Sequence, residues 1–328
     1  MTTEAILRRF PQLSALVIGD ICLDRWCTYD PALAEASRET GIPRVAVTSV
    51  ETTPGAGGTI ANNLAALGAG RIAVLGAIGE DGFGLELQRA LRVRGISPDL
   101  LVSSPSLQTF TYTKYWNSAT GEEDLPRTDF INAQQLTSDV ERRIVATLGA
   151  HAASFDVIFV SDQSETDAGG VVTTAVREAV CRLSNRVIWV DSRLRAELFR
   201  NVIVKPNQRE AEEASQRLFG RIDYHALRRN IGPHPLVVTQ GGEGVVIVDG
   251  TGEHRVPAVP VAEPVDICGA GDSFSAGAAL SMAVCGDIRE AARIGNLVAS
   301  ITIMKKGTGT ATPAEVLAAS EHVHSPAS

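Results

Sequence analysis

The chain has 328 residues, of which 44% are hydrophobic, and its 30 lysines and arginines against 38 aspartates and glutamates give a net charge of −8. This acidic balance, without a basic run, argues against a nucleic-acid partner, and no apolar stretch or N-terminal signal pattern indicates a membrane partner. The five cysteines have neither a zinc nor a disulfide spacing, so we expect reduced thiols and a cytoplasmic protein.

Short apolar runs that end in small polar residues alternate with helix-like segments along the chain. The predicted strands are SALVIGD (14–20), RIAVLGAIG (71–79), DVIFVSD (156–162), RVIWVDS (186–192), NVIVKPN (201–207) and PLVVTQGGEG (235–244). The predicted helices are 57–70, 84–95, 168–183 and most of the chain after residue 272. This alternation predicts an α/β fold, in which a doubly wound sheet has helices on both faces and a site at the carboxyl ends of its strands.

Two segments, about 25–50 and 108–130, break the alternation. Both are rich in β-branched, aromatic and polar residues, and the second contains the turn SATGEED. We interpret them as a small β lid on a single domain that spans 1–328. The exposed edge of such a lid would also favour a homodimer.

The stretch DICGAGDSFSAGAAL (266–280) predicts an anion site at the start of a helix. Helix N-termini leave backbone N–H groups unpaired and carry partial positive charge, and Gly269 and Gly271 let a phosphate approach closely. Asp272 would repel that phosphate. A carboxylate at this position is suited instead to act as the base that takes a proton from a nucleophile.

Five stretches resemble the PfkB, or ribokinase-like, carbohydrate kinases over residues 14 to 315. They are GAGGTIANNLAALGA (55–69), GAIGEDGFG (76–84), NQRE (207–210), VVTQGGEGV (237–245) and DICGAGD (266–272). The resemblance implies a ribokinase-like fold and an enzyme that phosphorylates a sugar hydroxyl with ATP and Mg²⁺. It also implies a monovalent cation such as K⁺ near the anion site.

The resemblance assigns roles around the nucleotide. Asp272 would be the general base, and the N–H groups of Gly269, Ala270 and Gly271 would stabilise the charge of the transferred phosphoryl group. Glu210, in the motif that Asn207 begins, would act on Mg²⁺ through water, although the same pair is also typical of a helix start. The other expected nucleotide-side residues are Thr239, Gly241, Gly244, Asn296 and Gly307.

The acceptor sugar would contact residues at the carboxyl edge of the sheet and in the lid. Carboxylates can accept hydrogen bonds from sugar hydroxyls, and arginine can hold a phosphate. The candidates are Asp20, Asp24, Arg25, Gly55, Thr59, Lys114 and Arg193. Alternatively, Arg25 forms a pair with an aspartate that supports the base of the lid.

Within the family, the chain most resembles the heptose 7-phosphate kinases of the ADP-heptose pathway. It departs from the family pattern at Thr59, where asparagine is usual, and at Cys268, where threonine is common. The stretch SDQSETDAGG (161–170) lacks the lysine of the heptose branch, and Asp191-Ser192-Arg193 replaces Asp-Pro-Lys. We expect a phosphorylated sugar whose phosphate is held by Arg25 or Arg193. A nucleoside kinase, a keto-sugar-acid kinase and a non-catalytic sensor of sugar or nucleotide are the alternatives.

Overall fold

The structure is a computed structural model that describes residues 1–164, 170–183 and 187–324. The described strands are β1 (Ser14–Gly19), β2 (Ile21–Tyr29), β3 (Val47–Ala56), β4 (Arg71–Leu75), β5 (Ala77–Gly79), β6 (Ile96–Ser97), β7 (Val102–Ser104), β8 (Thr111–Asn117), β9 (Thr128–Phe130), β10 (Val157–Asp162), β11 (Val187–Ser192), β12 (Ile203–Val204), β13 (Leu236–Thr239), β14 (Val245–Asp249) and β15 (Gly252–Val256). The described α-helices are α1 (Thr3–Leu7), α2 (Gly57–Ala66), α3 (Gly82–Val93), α4 (Ser138–His151), α5 (Thr174–Cys181), α6 (Gln208–Phe219), α7 (Tyr224–Ile231), α8 (Ala270–Cys285), α9 (Ile288–Thr302) and α10 (Pro313–His324).

Nine strands form the main sheet, in the order β15-β14-β13-β12-β11-β10-β1-β4-β6. The strands from β13 to β6 run parallel, and the pairs β13–β14 and β14–β15 are antiparallel at one edge. From β1 the chain proceeds to one side through β4 and β6, and from β10 it proceeds to the other side. The order therefore reverses between β1 and β10, and the carboxyl ends of these strands border the crevice where α/β sheets bind ligands.

Helices cover both faces of this sheet, as predicted. Side chains of β1 alternate, so that Val17 packs with α2, α8 and α9 on one face, whereas Leu16 and Ile18 pack with α4 to α7 on the other. On the first face, Trp189 of β11 meets Phe274 of α8 with 6.3 Å between ring centroids. This contact fixes the start of α8 against the centre of the sheet.

The predicted lid is confirmed as a separate four-stranded sheet, in the order β3-β2-β8-β9, which we call the lid sheet. Its strands differ from the predicted segments 25–50 and 108–130, because β2 begins at Ile21, directly after the main-sheet strand β1. Much of 30–46 is irregular, with a short 3-10 helix that begins at Pro31. As a result Asp24 lies inside a lid strand, and not just past a main-sheet strand as predicted.

Other predicted boundaries are corrected. The strand 71–79 breaks at Gly76, where a Cβ atom would lie 2.7 Å from the carbonyl oxygen of Gly19. The helix predicted over 168–183 begins only after Thr173, whose hydroxyl caps α5, and residues 165–169 lie outside the described part. The strands predicted over 186–192, 201–207 and 235–244 are β11, β12 and β13, and the last two are shorter than expected. In the described ranges, no helix is long and apolar enough to cross a membrane.

Candidate active site

Two cavities meet at the first turn of α8. The larger, of about 620 Å³, lies beside the carboxyl ends of β11 to β13 and is called the nucleotide cavity here. The smaller, of about 210 Å³, lies between the lid sheet and α8 and is called the acceptor cavity. Four residues line both cavities: Gln163, Arg193, Gly269 and Asp272. The predicted base therefore stands at the junction of two binding spaces.

The start of α8 has the geometry expected of an anion site. Gly269 is the N-cap residue and adopts φ +77°, a left-handed conformation that glycine tolerates without strain. Ala270 donates its N–H to the carbonyl oxygen of Ile267 at 3.2 Å, whereas those of Gly269 and Gly271 have no hydrogen-bond partner among the described residues. These two N–H groups are therefore available to an anion, and that of Ala270 is already engaged.

Asp272 is poised to exchange a proton near neutral pH. Burial and, to a smaller extent, the neighbouring carboxylate of Asp191 together raise the pKa of its carboxyl group to about 7, against the lowering effect of Lys205 and Arg193. A general base works best when its pKa lies near the working pH. The environment of Asp272 thus suits the role predicted for it.

Lys205 and Asp191 form a buried ion pair in the nucleotide cavity. Lys205 is 3% exposed, and its Nζ lies 2.8 Å from Oδ2 of Asp191. Sequence reasoning missed Lys205, although a lysine directly after the apolar run NVIV, followed by Pro206, marks a charge at a strand end. A charge at this edge of an α/β sheet signals a site.

Asn207 and Glu210 form a capping box at the start of α6. The Asn207 side chain accepts the N–H of Glu210 at 2.9 Å, and the Glu210 carboxylate accepts the N–H of Asn207 at 2.8 Å. The helix-start interpretation is therefore correct. Burial, followed by the nearby Asp191 carboxylate, raises the pKa of Glu210. The role at Mg²⁺ stays a prediction.

Most of the other predicted nucleotide-side residues line the nucleotide cavity: Thr239, Gly241, Gly244 and Asn296. Gly244 adopts φ +96°, and a Cβ there would lie 2.2 Å from the carbonyl oxygen of Val256. Gly307 does not line this cavity, which corrects its assignment. Its N–H binds Asp266 at 3.1 Å, and its position places it near Trp26 on the acceptor side.

The acceptor cavity combines the carboxylates of Asp24 and Asp272 with several cations. Burial raises the pKa of Asp24 to about 6, and Lys114 and Arg127 oppose that rise. Gly55 lies under Asp24, because a Cβ at Gly55 would come within 2.4 Å of both carboxylate oxygens. Gly55 thus shapes the cavity through Asp24, and the lysine and arginine supply the positive charge expected for an anionic acceptor.

Aromatic rings of the lid sheet border this charged region. Trp26 and Trp116 stack with 6.1 Å between centroids, and Lys114 Nζ lies 4.7 Å from the ring centre of Trp26. Arg127 lies 4.9 Å from the ring centre of Tyr112. Each cation therefore lies beside an aromatic face. Each also has an acidic partner, since Lys114 Nζ lies 3.8 Å from Glu123 and Arg127 donates to Asp129 at 2.7 Å.

Asp20 does not line the acceptor cavity, which corrects its assignment as a substrate ligand. Its carboxylate accepts backbone N–H groups from Gln163 at 2.8 Å and Val171 at 2.7 Å. These bonds tie the loop after β10 to the end of β1. Asp20 therefore stabilises the backbone that borders the crevice.

The role of Arg25 as a phosphate ligand stays a prediction, and its present contacts lie elsewhere. Arg25 forms part of the cavity wall, but its guanidinium lies 4.9 Å from the ring centre of Phe83 and its Nε lies 3.7 Å from Glu86. The reason is strand alternation, since neighbours Asp24 and Arg25 must point to opposite faces of β2. Arg25 joins the lid sheet to α3, and its partner is a glutamate, not an aspartate as the alternative proposed.

Three further predicted positions lie in the acceptor cavity: Thr59, Cys268 and Arg193. A Cβ at Gly269 would lie 3.3 Å from the methyl of Thr59, so the threonine that replaces asparagine packs against the anion site. Arg193 faces both cavities, as its predicted contact with phosphate requires. Residues 165–169 of the lysine-free stretch SDQSETDAGG (161–170) lie outside the described residues.

Arg127 and Gln163 are the acceptor-side residues that sequence reasoning missed. Arg127 lies beside the short lid strand β9 and Gln163 directly after β10. Only the pairing of β9 with β8 brings Arg127 towards Asp24. No local pattern in the stretch PRTDF (126–130) predicts this approach of Arg127 to Asp24.

The residues at the junction fit a nucleoside triphosphate with Mg²⁺. Open N–H groups at the start of α8, together with Lys205 and Arg193, are donors for phosphate oxygens. The carboxylate of Glu210 is a hard oxygen ligand of the kind that Mg²⁺ prefers.

Solved structures share this architecture. The ribokinase of Thermotoga maritima superposes with a TM-score of 0.69 at 20% identity, covering 94% of this chain and 99% of that one. The ribokinase of Arabidopsis thaliana, solved with ribose and ATP, gives 0.66 at 20% identity, covering 94% and 98%. These likenesses confirm the ribokinase-like fold. A site of this composition on this fold defines a kinase of small molecules.

The family model described as pfkB family carbohydrate kinase matches residues 14–315, and the chain belongs to that family. The bifunctional protein HldE of Pelobacter propionicus is 31% identical over 334 residues, which are 98% of this chain and 66% of that protein. The chain thus spans just under two thirds of the length of this curated relative. The predicted class, a carbohydrate kinase, is confirmed.

Proposed function

We propose that this chain transfers the γ-phosphoryl group of ATP to a hydroxyl of a sugar that already carries a phosphate. The observation that supports it most is the junction itself, where Asp272 and Gly269 line both cavities. Phosphoryl transfer depends mainly on the positioning of two reactants and on electrostatic stabilisation between them. A shared wall with a base and an anion site supplies both.

In this proposal Asp272 accepts the proton of the acceptor hydroxyl as its oxygen attacks the γ-phosphorus. The bond from that phosphorus to the bridging oxygen of ADP breaks, and ADP leaves with the electron pair. The N–H groups of Gly269 and Gly271 stabilise the charge on the transferred group. Bound Mg²⁺ would supply positive charge to the phosphates, and Glu210 is the residue that would hold its shell through water.

The acceptor is proposed to be a sugar phosphate such as a heptose 7-phosphate. Asp24 accepts hydrogen bonds from sugar hydroxyls, and Lys114, Arg127 and Arg193 face the same cavity as the phosphate ligands. Arg127 takes the place that sequence reasoning gave to Arg25. Glu123 and Asp129 offset the charges of Lys114 and Arg127, so the lysine and arginine donors in the cavity wall, and not its net charge, favour a phosphorylated acceptor.

A panel of acceptors tests this proposal. Sugars and their phosphate monoesters, together with nucleosides and keto-sugar acids, are incubated with γ-labelled ATP, and transfer of label is measured. We expect the highest kcat/KM for a sugar phosphate, at least about tenfold above its free sugar, as one charged contact predicts. A better rate with free sugars or nucleosides would overturn the acceptor class, and no transfer to any acceptor would favour a sensor.

We also propose a reducing compartment and a requirement for K⁺. The described cysteines Cys22, Cys27, Cys181, Cys268 and Cys285 are all free, which fits a reducing compartment such as the cytoplasm. A K⁺ requirement stays a prediction of the resemblance. Replacing K⁺ by tetramethylammonium in the assay tests it, and an unchanged rate would contradict it.

A further inference from the structure

Lys205 places a positive charge beside another positive feature. A Cβ atom at Gly271 would lie 3.5 Å from Lys205 Nζ, so the ammonium lies against the first turn of α8. Helix N-termini carry partial positive charge and are stabilised by anions, whereas a cation there is unfavourable. Asp191, 2.8 Å from Nζ, offsets only one positive charge. An anion bound between Lys205 and the first turn of α8 would balance the remaining positive charge.

The burial of Lys205 also indicates a ligand. Removal of an ammonium from water costs several kcal/mol, and an apolar pair of similar volume is often equally stable in its place. The ammonium has three N–H donors, and Asp191 is its one hydrogen-bonding partner among the described residues. Two donors remain for a group in the nucleotide cavity, whose wall includes Lys205.

Lys205 remains charged in this setting. Burial alone would lower the pKa of its ammonium, but the adjacent Asp191, with Glu210 and Asp272 nearby, raises it above the usual value. Arg193 also lines this cavity and has interactions of its own. The site therefore keeps a permanent cation next to the open N–H groups of α8.

We propose that the Lys205 ammonium binds an oxygen of the phosphoryl group during its transfer, and that Asp191 is the positioning residue that holds the ammonium there. This inference rests on the proposed function, because it assigns a contact to the phosphoryl group that passes the junction. Lys205 neither gains nor loses a proton. Its charge balances the negative charge on the oxygens of the phosphoryl group while the bond to ADP breaks.

A purely structural role makes a different prediction. If Lys205 only neutralises Asp191, the K205M variant is slow because an unpaired carboxylate remains near Asp272. Removal of both charges in K205M/D191N would then restore the rate. If Lys205 binds the phosphoryl group, the double variant stays as slow as K205M, because the ligand contact is absent from both.

The test uses wild type, K205M, D191N and K205M/D191N, with kcat and KM for ATP and calorimetric Kd values for ATP and adenosine. We expect K205M and the double variant to lose at least about a hundredfold in kcat, as for one lost oxyanion donor. D191N should lose about tenfold through misplacement of the ammonium. ATP should bind about tenfold more weakly to K205M, as for a lost charged contact, with adenosine unchanged within about twofold.

Recovery of kcat in the double variant to within about threefold of wild type would overturn the proposal. Equal ATP affinity in wild type and K205M, with unchanged kcat, would overturn it too. The neutral double variant keeps the test valid if K205M alone does not fold, since it leaves no buried unpaired charge. If wild type transfers phosphate to no acceptor, the proposed function fails, and the ATP-against-adenosine comparison still decides whether Lys205 contacts phosphate.

Discussion

The nucleotide cavity and the acceptor cavity share Asp272 but are constructed in different ways. The nucleotide cavity is bordered by strand ends of the main sheet and by helix starts, where backbone geometry places each group. The acceptor cavity depends on side chains from lid strands that are far apart in sequence, such as Asp24, Lys114 and Arg127. Chemistry therefore lies on the rigid sheet, whereas the choice of acceptor lies largely on the lid. Substitutions in the nucleotide cavity should therefore change mainly the rate, and substitutions in the acceptor cavity should change mainly the selectivity between acceptors.

The largest effect should follow from loss of the shared base. Asp272→Asn should reduce kcat by at least about a hundredfold, while ATP still binds, because the amide cannot accept the proton. Titration calorimetry with ATP and a steady-state assay measure the two quantities. A kcat within about fivefold of wild type would refute the assignment.

The same variant has a built-in folding control. The folded-state pKa of Asp272, about 7, exceeds its usual value of 3.8, so above pH 4 the folded chain retains a proton that the unfolded chain has lost. Stability therefore declines as the pH rises from about 4 to 7. The neutral amide of D272N avoids this cost, so the variant should melt at least as high as wild type at pH 8, measured by calorimetry.

Removal of a lid cation should alter selectivity more than rate. Arg127→Ala should raise KM for a sugar phosphate by about tenfold or more and change kcat little, because the contact exists before and during the reaction. Arg25→Ala is the matched control, since its guanidinium faces Phe83 and Glu86. The ratio of kcat/KM for the phosphorylated sugar to kcat/KM for the free sugar is compared between the two variants. An equal change of this ratio in both would contradict the role of Arg127.

A smaller effect is expected on the nucleotide side at Glu210. Glu210→Gln should raise the Mg²⁺ concentration needed for half-maximal rate by about threefold to tenfold, through loss of a charged oxygen in the metal shell. Glu212→Gln, on the same helix and bonded to Gln208, is the control. If the rate of both variants depends on Mg²⁺ concentration as that of wild type does, Glu210 serves only to cap α6.

The smallest effect on catalysis should come from the outer edge of the lid sheet. β3 is an edge strand, and its Val47 and Val50 are each 41% exposed. We propose that this edge pairs with a second copy of the chain. Val50→Lys should reduce the mass measured by light scattering at micromolar concentration, with kcat changed less than about threefold. A wild-type monomer under the same conditions would exclude the dimer.

The contrast between the cavities also explains what the sequence could predict. Asp272, Gly269 and Glu210 belong to short contiguous motifs, whose backbone geometry is local, and the structure brings them to one place. The contacts of Arg25 with Phe83 and Glu86 could not be predicted, because the face of the strand on which it lies depends on β2 beginning at Ile21, which no local signal fixes. Arg127 reaches Asp24 only through the pairing of β9 with β8. Tertiary pairing of this kind leaves no periodic trace in a single sequence.

The pH dependence of the single-turnover rate tests the central claim most directly. Asp272, with a pKa raised to about 7 by burial and by Asp191, must be deprotonated to accept the hydroxyl proton. The account predicts that the rate of transfer falls about tenfold per pH unit below about 7 and is level above it, and that D272N lacks this limb. A rate that is constant between about pH 5.5 and 8.5, or a limb that persists in D272N, would contradict it.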